Sequence, residues 1–187
     1  FKNTGEGILQ GERIKKMLEV DGMENLEEAL SRGKGVILLI SHFGSFLLPL
    51  PFLGFQGYKV NQVTGKQLHR SPIEERIWAW RKREADKLPV KFIQVDKFFR
   101  PVYNALKNNE IIAIAFDGRD GSKWVATKFF KRTALFSTGP FELARRTGST
   151  ILPAFVVRKK DLTHRLVFEP SFVLSDDPDI ERALRYD

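Results

Sequence analysis

Short apolar runs alternate with amphipathic segments along this chain, and this alternation restricts the possible fold more than any other feature. The apolar runs are rich in β-branched residues and bounded by Gly, Pro or charged residues, so they predict strands at 36–40, 90–95, 111–116, 151–157 and 166–174. The segments between them predict helices at 8–20, 23–32, 72–87, 101–108 and 137–147. We therefore expect an α/β fold with a central, mainly parallel or mixed sheet flanked by helices.

The chain has the size and composition of one globular domain. Its 187 residues are 42% hydrophobic, with no repeat, low-complexity tract or linker, so residues 1–187 are expected to form a single domain. The first residue is Phe1 rather than Met, and Asp187 ends inside a helical pattern. We therefore expect this domain to be a fragment that lacks N-terminal and C-terminal segments of a longer protein.

The charge balance favours an anionic partner. The formal net charge is +8, which suits nucleic acid, an anionic membrane surface or an acidic carrier protein. A nucleic-acid-binding module is disfavoured because no groove-reading motif or stacking platform is evident. The most apolar stretch, residues 46–55, contains two prolines and is about half the length that a membrane-spanning helix requires. The absence of cysteine excludes disulfides and thiolate chemistry but leaves the compartment open.

His42 follows the apolar strand 36–40, at the carboxyl end where ligands bind in open α/β sheets. A neutral imidazole in that place can accept a proton from a substrate hydroxyl near neutral pH. The alternative is a histidine that packs at a strand end and binds a carbonyl oxygen. The other two histidines, His69 in a polar loop and His164 in a hairpin, are weaker candidates.

Five motifs occur in order and together resemble one family. They are His42-Phe43-Gly44-Ser45 after a strand, Asp117-Gly118-Arg119-Asp120-Gly121 after another strand, Phe129-Phe130-Lys131-Arg132-Thr133-Ala134, Ser137-Thr138-Gly139-Pro140 with Leu143-Ala144, and Arg146-Thr147-Gly148 before Ile151-Leu152-Pro153. From about residue 35 to 170 the chain resembles the lipid A biosynthesis acyltransferases of the lauroyl and myristoyl transferase type. Mycobacterial acyltransferases that act on phosphatidylinositol mannosides are relatives of that family.

The resemblance implies an activity, a fold and a location. A fatty acyl group would pass from an acyl carrier protein (acyl-ACP) or coenzyme A (acyl-CoA) thioester to a hydroxyl of a membrane glycolipid, with no cofactor and no nucleic acid involved. The fold would be similar to that of the glycerolipid acyltransferases. The protein would lie at the cytoplasmic face of the inner membrane, either peripherally or anchored by a segment absent from this chain.

The resemblance also implies that His42 is the general base, but one expected residue is missing. In the family an acidic residue five positions after this histidine orients it, and here that position is Leu47. Three alternatives follow: a carboxylate from another segment, with Asp117 and Asp120 as the nearest candidates; a backbone carbonyl or water in its place; or a catalytically inactive, lipid-binding relative. The last is the main rival to the enzyme.

Further residues are candidates for binding substrate. Arg81 lies near an arginine that the family uses for headgroup phosphate or the thioester oxyanion, and Arg83 belongs to the same basic helix face; Arg119 lies in the Asp-Gly loop. The oxygen ligands of a calcium loop are absent around Asp117, so no metal is expected. Ser45 lacks the flanking glycines of a nucleophile elbow, so direct transfer is preferred to an acylated serine.

Some aromatic residues are candidates for contact with an acyl chain or a membrane, although most aromatic residues pack in protein cores. Phe43 and Phe46 beside His42, and Phe98 and Phe99, are candidates for an acyl groove, with core packing as the commoner alternative. Trp78 and Trp80 are two residues apart on the predicted helix and cannot share one face. At least one of them is therefore expected outside the buried stripe, where it would suit a membrane interface.

Overall fold

The computed structural model describes residues 5–65, 71–94, 99–118 and 123–174. Helices and strands alternate through these segments in an α/β order. The helices are α1 (Gly5–Lys16), α2 (Met23–Ser31), α3 (Pro49–Phe55), α4 (Pro72–Ala85), α5 (Arg100–Lys107) and α6 (Gly139–Thr147). The strands are β1 (Leu18–Asp21), β2 (Val36–Ile40), β3 (Val60–Thr64), β4 (Val90–Gln94), β5 (Ile111–Ala115), β6 (Trp124–Phe129), β7 (Arg132–Ser137), β8 (Thr150–Arg158) and β9 (His164–Phe168).

The central sheet is mixed and mainly parallel, which confirms the expected fold class. Its seven strands lie in the order β1-β9-β8-β2-β5-β3-β4. Pairs within the group β8-β2-β5-β3-β4 are parallel, whereas β9 runs antiparallel to β8 and carries β1 parallel to itself. Strands β6 and β7 form a separate antiparallel hairpin. The carboxyl ends of β2 and β5 therefore lie side by side at one edge of the sheet.

Strand β2 is the centre of the core because all five of its residues are buried. Side chains alternate between the two faces of a strand, and Val36, Leu38 and Ile40 join one hydrophobic cluster while Ile37 and Leu39 join the other. The first cluster includes buried residues of α2 and α3, and the second includes buried residues of α5 and α6. Helices thus cover both faces, as expected for a run of apolar residues without polar alternation.

The ends of some elements differ from the sequence-based expectation. The helix predicted over 8–20 ends at Lys16, and residues 18–21 form β1 because Leu18 pairs with His164 of β9. The strand predicted over 166–174 leaves the sheet after Phe168, and Phe172 returns to bridge Ile151. Strands β3, β6 and β7 were not predicted. Long-range pairing, which a local pattern does not contain, decides the cases of β1, β3 and β9. Strands β6 and β7 pair locally, but their two-residue turn, Phe130-Lys131, lacks the usual turn residues.

The capping signal before α4 is confirmed. The Ser71 hydroxyl accepts a hydrogen bond from the Glu74 N–H at 3.2 Å, and Pro72 occupies the first helical position. The helix ends at Ala85, two residues before the predicted end. None of its residues is buried, so α4 is a surface helix whose apolar and basic residues face solvent.

Asn109 joins three elements at the amino edge of the sheet. Its Oδ1 accepts the Gly35 N–H at 2.9 Å and its Nδ2 donates to the Leu30 carbonyl at 3.0 Å, which ties the start of β2 and the end of α2 to the turn before β5. Asn109 has a positive φ of 57°, a conformation that Asn tolerates better than most residues.

We expect Asn109→Ala to lower the free energy of unfolding by about 2–3 kcal/mol, since it removes two hydrogen bonds and strains a left-handed backbone. Asn109→Gly relieves the backbone strain and is expected to cost about half as much. Urea unfolding followed by circular dichroism measures both. Asn108→Ala is the control, because Asn108 has φ −86° and is exposed. Equal losses at the two asparagines would contradict the assignment.

Candidate active site

Two parallel strands bring His42 and Asp117 to the same edge of the sheet. The register pairs Ile40 of β2 with Ala115 of β5, and the Phe116 N–H extends this ladder by donating to the Ile40 carbonyl at 3.2 Å. His42 and Asp117 each lie two residues beyond the paired positions. The regular spacing of the strands therefore places the two side chains next to each other.

The carboxylate of Asp117 uses both oxygens to hold His42. Its Oδ1 lies 2.9 Å from His42 Nδ1, and its Oδ2 accepts the His42 backbone N–H at 2.8 Å. An ionised carboxylate only accepts hydrogen bonds, so Nδ1 carries the ring proton in the neutral imidazole. Nε2 then has a free lone pair, which is the tautomer that a general base requires.

The ring of His42 is supported on one side and open on the other. Phe46 packs edge-on against it with ring centroids 4.8 Å apart, and Gly118 leaves room beside Cε1. The His42 side chain is 52% exposed and that of Asp117 is 28% exposed. Within the described part of the chain Nε2 has no hydrogen-bond partner. The lone pair is therefore accessible to a substrate hydroxyl.

The geometry matches the first of the three alternatives raised by Leu47. A carboxylate from another segment, Asp117, lies on the nitrogen of His42 that the expected acidic residue would serve. Leu47 itself is 44% exposed. The other candidate carboxylate, Asp120, and the candidate Arg119 lie outside the described residues, as does His69.

Ser45 is bound by a histidine that sequence reasoning ranked low. The loop after β2 crosses β8 at Gly44, where φ is 58° and a Cβ would lie 2.7 Å from the Val156 carbonyl oxygen. The Ser45 hydroxyl then reaches Nε2 of His164 at 2.9 Å. Only the pairing of β9 with β8 brings these residues together, 119 positions apart in sequence, so no local signal could have found the contact.

His164 is held at the start of β9 by hydrogen bonds of its own backbone and of the preceding turn. Its backbone N–H donates to the Met17 carbonyl, and the preceding turn is closed by Thr163, whose hydroxyl and N–H both donate to Asp161. The Thr163 hydroxyl and backbone N–H bonds lower the pKa of Asp161. Nδ1 of His164 is buried and has no hydrogen-bond partner among the described residues. Ser45 therefore provides the polar contact of this imidazole.

A cavity of about 380 Å³ adjoins the carboxylate of Asp117. It is lined by Asp117, Gly118, Trp124 and Leu135, so apolar side chains of the hairpin form one wall. Trp124 and Leu135 lie on the same face of the hairpin, because Leu135 pairs with Ala126 and alternate residues share a face. The cavity is large enough and apolar enough to hold part of a hydrocarbon chain.

The candidate aromatic residues divide into two groups. Phe43 and Phe99 are exposed, by 62% and 49%, so the expectation that they pack in the core is wrong. Phe46 is half-buried and packs against both His42 and the core. Phe98 lies outside the described residues. Phe43 therefore offers an apolar surface next to His42.

The basic residues of α4 contact residues of their own helix. The Arg81 guanidinium lies over the Trp78 ring, 5.5 Å from its centroid, and Arg83 Nε is 3.8 Å from a carboxylate oxygen of Glu84. Trp78 and Trp80 are 37% and 56% exposed, so both lie outside the core. In the described segments neither arginine contacts His42 or Asp117.

The described segments contain neither a candidate metal site nor a candidate membrane-spanning helix. No group of three or more His, Cys, Asp or Glu side chains lies close enough to hold a metal ion. No helix there is long and apolar enough to cross a bilayer.

The fold and the site define an α/β protein with a mixed, mainly parallel sheet and a histidine–carboxylate pair at the carboxyl edge of that sheet. Comparison with known proteins narrows this class, because residues 7–186 match the bacterial lipid A biosynthesis acyltransferase family. The chain belongs to that family.

Three curated relatives agree with this assignment at low identity. The lipid A biosynthesis palmitoleoyltransferase of Escherichia coli K12 and a lipid A biosynthesis acyltransferase of Shigella flexneri are each 26% identical over 162 residues, which cover 84% of this chain and 50% of theirs. The lipid A biosynthesis lauroyltransferase of Escherichia coli K12 is 25% identical over 170 residues, 86% of this chain and 53% of its own length. The chain therefore spans about half the length of these relatives.

We expect Ser45→Ala to lower the free energy of unfolding by about 1–2 kcal/mol, because it leaves Nε2 of His164 without its partner in a half-buried place. In a double-mutant cycle with His164→Ala, the coupling energy should be about 0.5–1.5 kcal/mol. Urea denaturation of the four proteins gives this value. Ser31→Ala, which removes an exposed hydroxyl from α2, serves as the control. Additive effects at Ser45 and His164 would show that the contact contributes nothing.

Proposed function

We propose that the protein transfers a fatty acyl group from an acyl-ACP or acyl-CoA thioester to a hydroxyl of a lipid A precursor or related glycolipid. The observation that carries the proposal is the 2.9 Å contact between His42 Nδ1 and Asp117, with Nε2 open to solvent. The names of the curated relatives support the lipid A acceptor and acyl chains of the lauroyl or palmitoleoyl type.

His42 acts as general base and then as general acid. Nε2 takes the proton of the acceptor hydroxyl while that oxygen attacks the thioester carbonyl, and a tetrahedral intermediate forms. When the intermediate collapses, the ester remains, the C–S bond breaks, and the imidazolium returns its proton to the leaving thiolate. Asp117 stabilises the imidazolium between the two steps, as the carboxylate does in a Ser-His-Asp triad.

The acyl chain of the donor lies in the cavity beside Asp117. Trp124 and Leu135 supply apolar walls there, and exposed Phe43 extends the apolar surface next to His42. Burial of methylene groups against such walls contributes about 0.8 kcal/mol for each group fully removed from water. The cavity thus holds the thioester carbonyl close to the base.

The transfer is direct, without an acyl-enzyme at Ser45. The hydroxyl of Ser45 is engaged by His164, a residue that already serves to hold the loop after β2. Incubation with an acyl donor alone should therefore leave the intact mass of the protein unchanged.

Positive charge brings the substrates to the site. A net charge of +8 attracts an acidic carrier protein, coenzyme A phosphates and anionic lipid headgroups alike. Arg81 and Arg83 on the exposed helix α4 are the residues that we assign to phosphate binding, and they act at the cytoplasmic face of the inner membrane. Arg119, two residues after Asp117 in the sequence, is assigned the same role.

The rival function is a catalytically inactive, lipid-binding relative, and it depends on Leu47. Without a carboxylate the histidine would lack an orienting group, which can cost on the order of 10⁴ in turnover. Asp117 accepts two hydrogen bonds from His42, which supports the enzyme over this alternative. We therefore prefer the enzyme.

We expect Asp117→Asn to lower kcat by about 10²–10⁴. Two N–H groups of His42 donate to Asp117, but an amide has one acceptor oxygen, so either the ring or the backbone loses its hydrogen bond. His42→Ala should reduce transfer to background. Activity is measured by mass spectrometry, with lauroyl and palmitoleoyl thioesters of ACP and CoA as donors and lipid A precursors as acceptors.

Glu28→Gln provides the matched control, because it also replaces a carboxylate by an amide but lies on the exposed surface of α2. Its activity should equal that of the unmodified protein. If the unmodified protein and His42→Ala give the same product yield with every donor, the proposal that this protein is an acyltransferase is rejected.

A further inference from the structure

The turn between β6 and β7 has an unusual sequence for its backbone. Phe129 pairs with Arg132, so the connection has two residues, Phe130 and Lys131, and both have positive φ, 47° and 63°. Two-residue hairpin turns with this pattern favour Asn-Gly or Asp-Gly, since side chains with a Cβ are strained there. A bulky aromatic residue and a lysine are therefore costly choices for forming this turn.

The same turn exposes its aromatic rings to water. Phe130 is 86% exposed and Phe129 is 54% exposed, and their ring centroids are 4.7 Å apart. Phe129 in turn contacts Phe136, which contacts Phe116, the residue before Asp117. A continuous row of four aromatic rings thus connects the end of the hairpin to the candidate active site.

The sequence around the turn is basic. Segment 123–137 contains four basic residues, Lys123, Lys128, Lys131 and Arg132, and no acidic residue. Three of them lie within two positions of the exposed phenylalanines. Exposed aromatic residues with basic residues close by in sequence are a combination that favours insertion into an anionic bilayer interface.

We propose that the hairpin tip, residues 129–132, inserts Phe129 and Phe130 into an anionic lipid bilayer while Lys128, Lys131 and Arg132 bind its headgroups. Strain and exposed apolar area are both unfavourable in water, and burial of the two rings in lipid offsets them. Trp124 and Leu135 of the same hairpin line the cavity beside Asp117, so insertion holds the mouth of this cavity at the bilayer surface.

A lipid surface fits this tip better than an acidic protein does. A protein partner recognised by charge would need the basic residues but not a bulky ring in a strained turn. A second copy of the chain would present the same positive charge and be repelled. Binding to lipid does not require acyl transfer, so the proposal is independent of the proposed function.

The test is a double substitution that stabilises the turn and removes the aromatic side chain that we expect to insert into lipid. Phe130→Asn with Lys131→Gly places the favoured residues in the turn, so the Tm should rise by about 2–4 °C. Binding to vesicles of phosphatidylcholine with phosphatidylglycerol, measured by flotation, should fall roughly tenfold or more. A rise in Tm excludes misfolding as the cause of the lost binding.

The chain has no cysteine, so a single label can report on the tip itself. An environment-sensitive fluorophore on Thr133→Cys, an exposed position next to the tip, should shift to the blue on anionic vesicles and not on pure phosphatidylcholine. The shift should weaken at high salt, which screens the lysines and arginine. The Phe130→Asn and Lys131→Gly substitutions should abolish it.

Val173→Asn is the control, because Val173 is a 44% exposed apolar residue next to Phe172, which bridges Ile151 at the opposite, amino edge of the sheet. It should bind vesicles as the unmodified chain does. Unchanged vesicle binding by the double variant overturns the proposal. So does loss of binding to acyl carrier protein in the double variant with no loss of vesicle binding, which would assign the tip to that partner.

Discussion

The parallel pairing of β2 with β5 is the constraint on which the candidate site depends. Each strand delivers one member of the pair, His42 or Asp117, two residues beyond the last registered position. A slip of one residue between these strands would turn Asp117 to the opposite face and remove it from Nδ1. The orientation of the His42 ring is thus a property of the buried sheet, and the core on both faces of β2 maintains it.

This arrangement explains how position 47 can be apolar. A carboxylate five residues after the base would lie in the same loop as the histidine, and that loop would have to hold both groups. Here the carboxylate comes from the neighbouring strand, and its second oxygen also ties down the backbone of His42. Leu47 therefore has no electrostatic role and adds to the exposed apolar surface that already contains Phe43.

The sequence predicted those features that are encoded locally. The buried run of β2, the capped start of α4 and the position of His42 at a strand end all follow from a few consecutive residues. The same reasoning left Asp117 and Asp120 as equal candidates, because strand order decides which carboxylate meets the ring. The contact of Ser45 with His164 also depends on pairing between distant segments. The same holds for residues 18–21, for which the sequence predicts a helix but which form β1.

The two edges of the sheet differ in the types of residue that have a positive φ. At the amino edge of the described sheet, where β2, β3, β5 and β8 begin and β1 ends, the positive-φ positions are held by residues that tolerate them: Gly22, Gly33, Gly35, Gly57, Asn109 and Gly148. Beyond the carboxyl edge, such positions also fall on Phe130, Lys131 and Leu162, all of them exposed. At the amino edge, the residues in positive-φ conformations are ones that tolerate such a backbone. On the side that carries His42, residues that disfavour a positive φ also adopt it. Strained positions of this kind are often retained at functional sites, so their occurrence on the side that carries His42 supports our proposal that this side meets the substrate and the lipid.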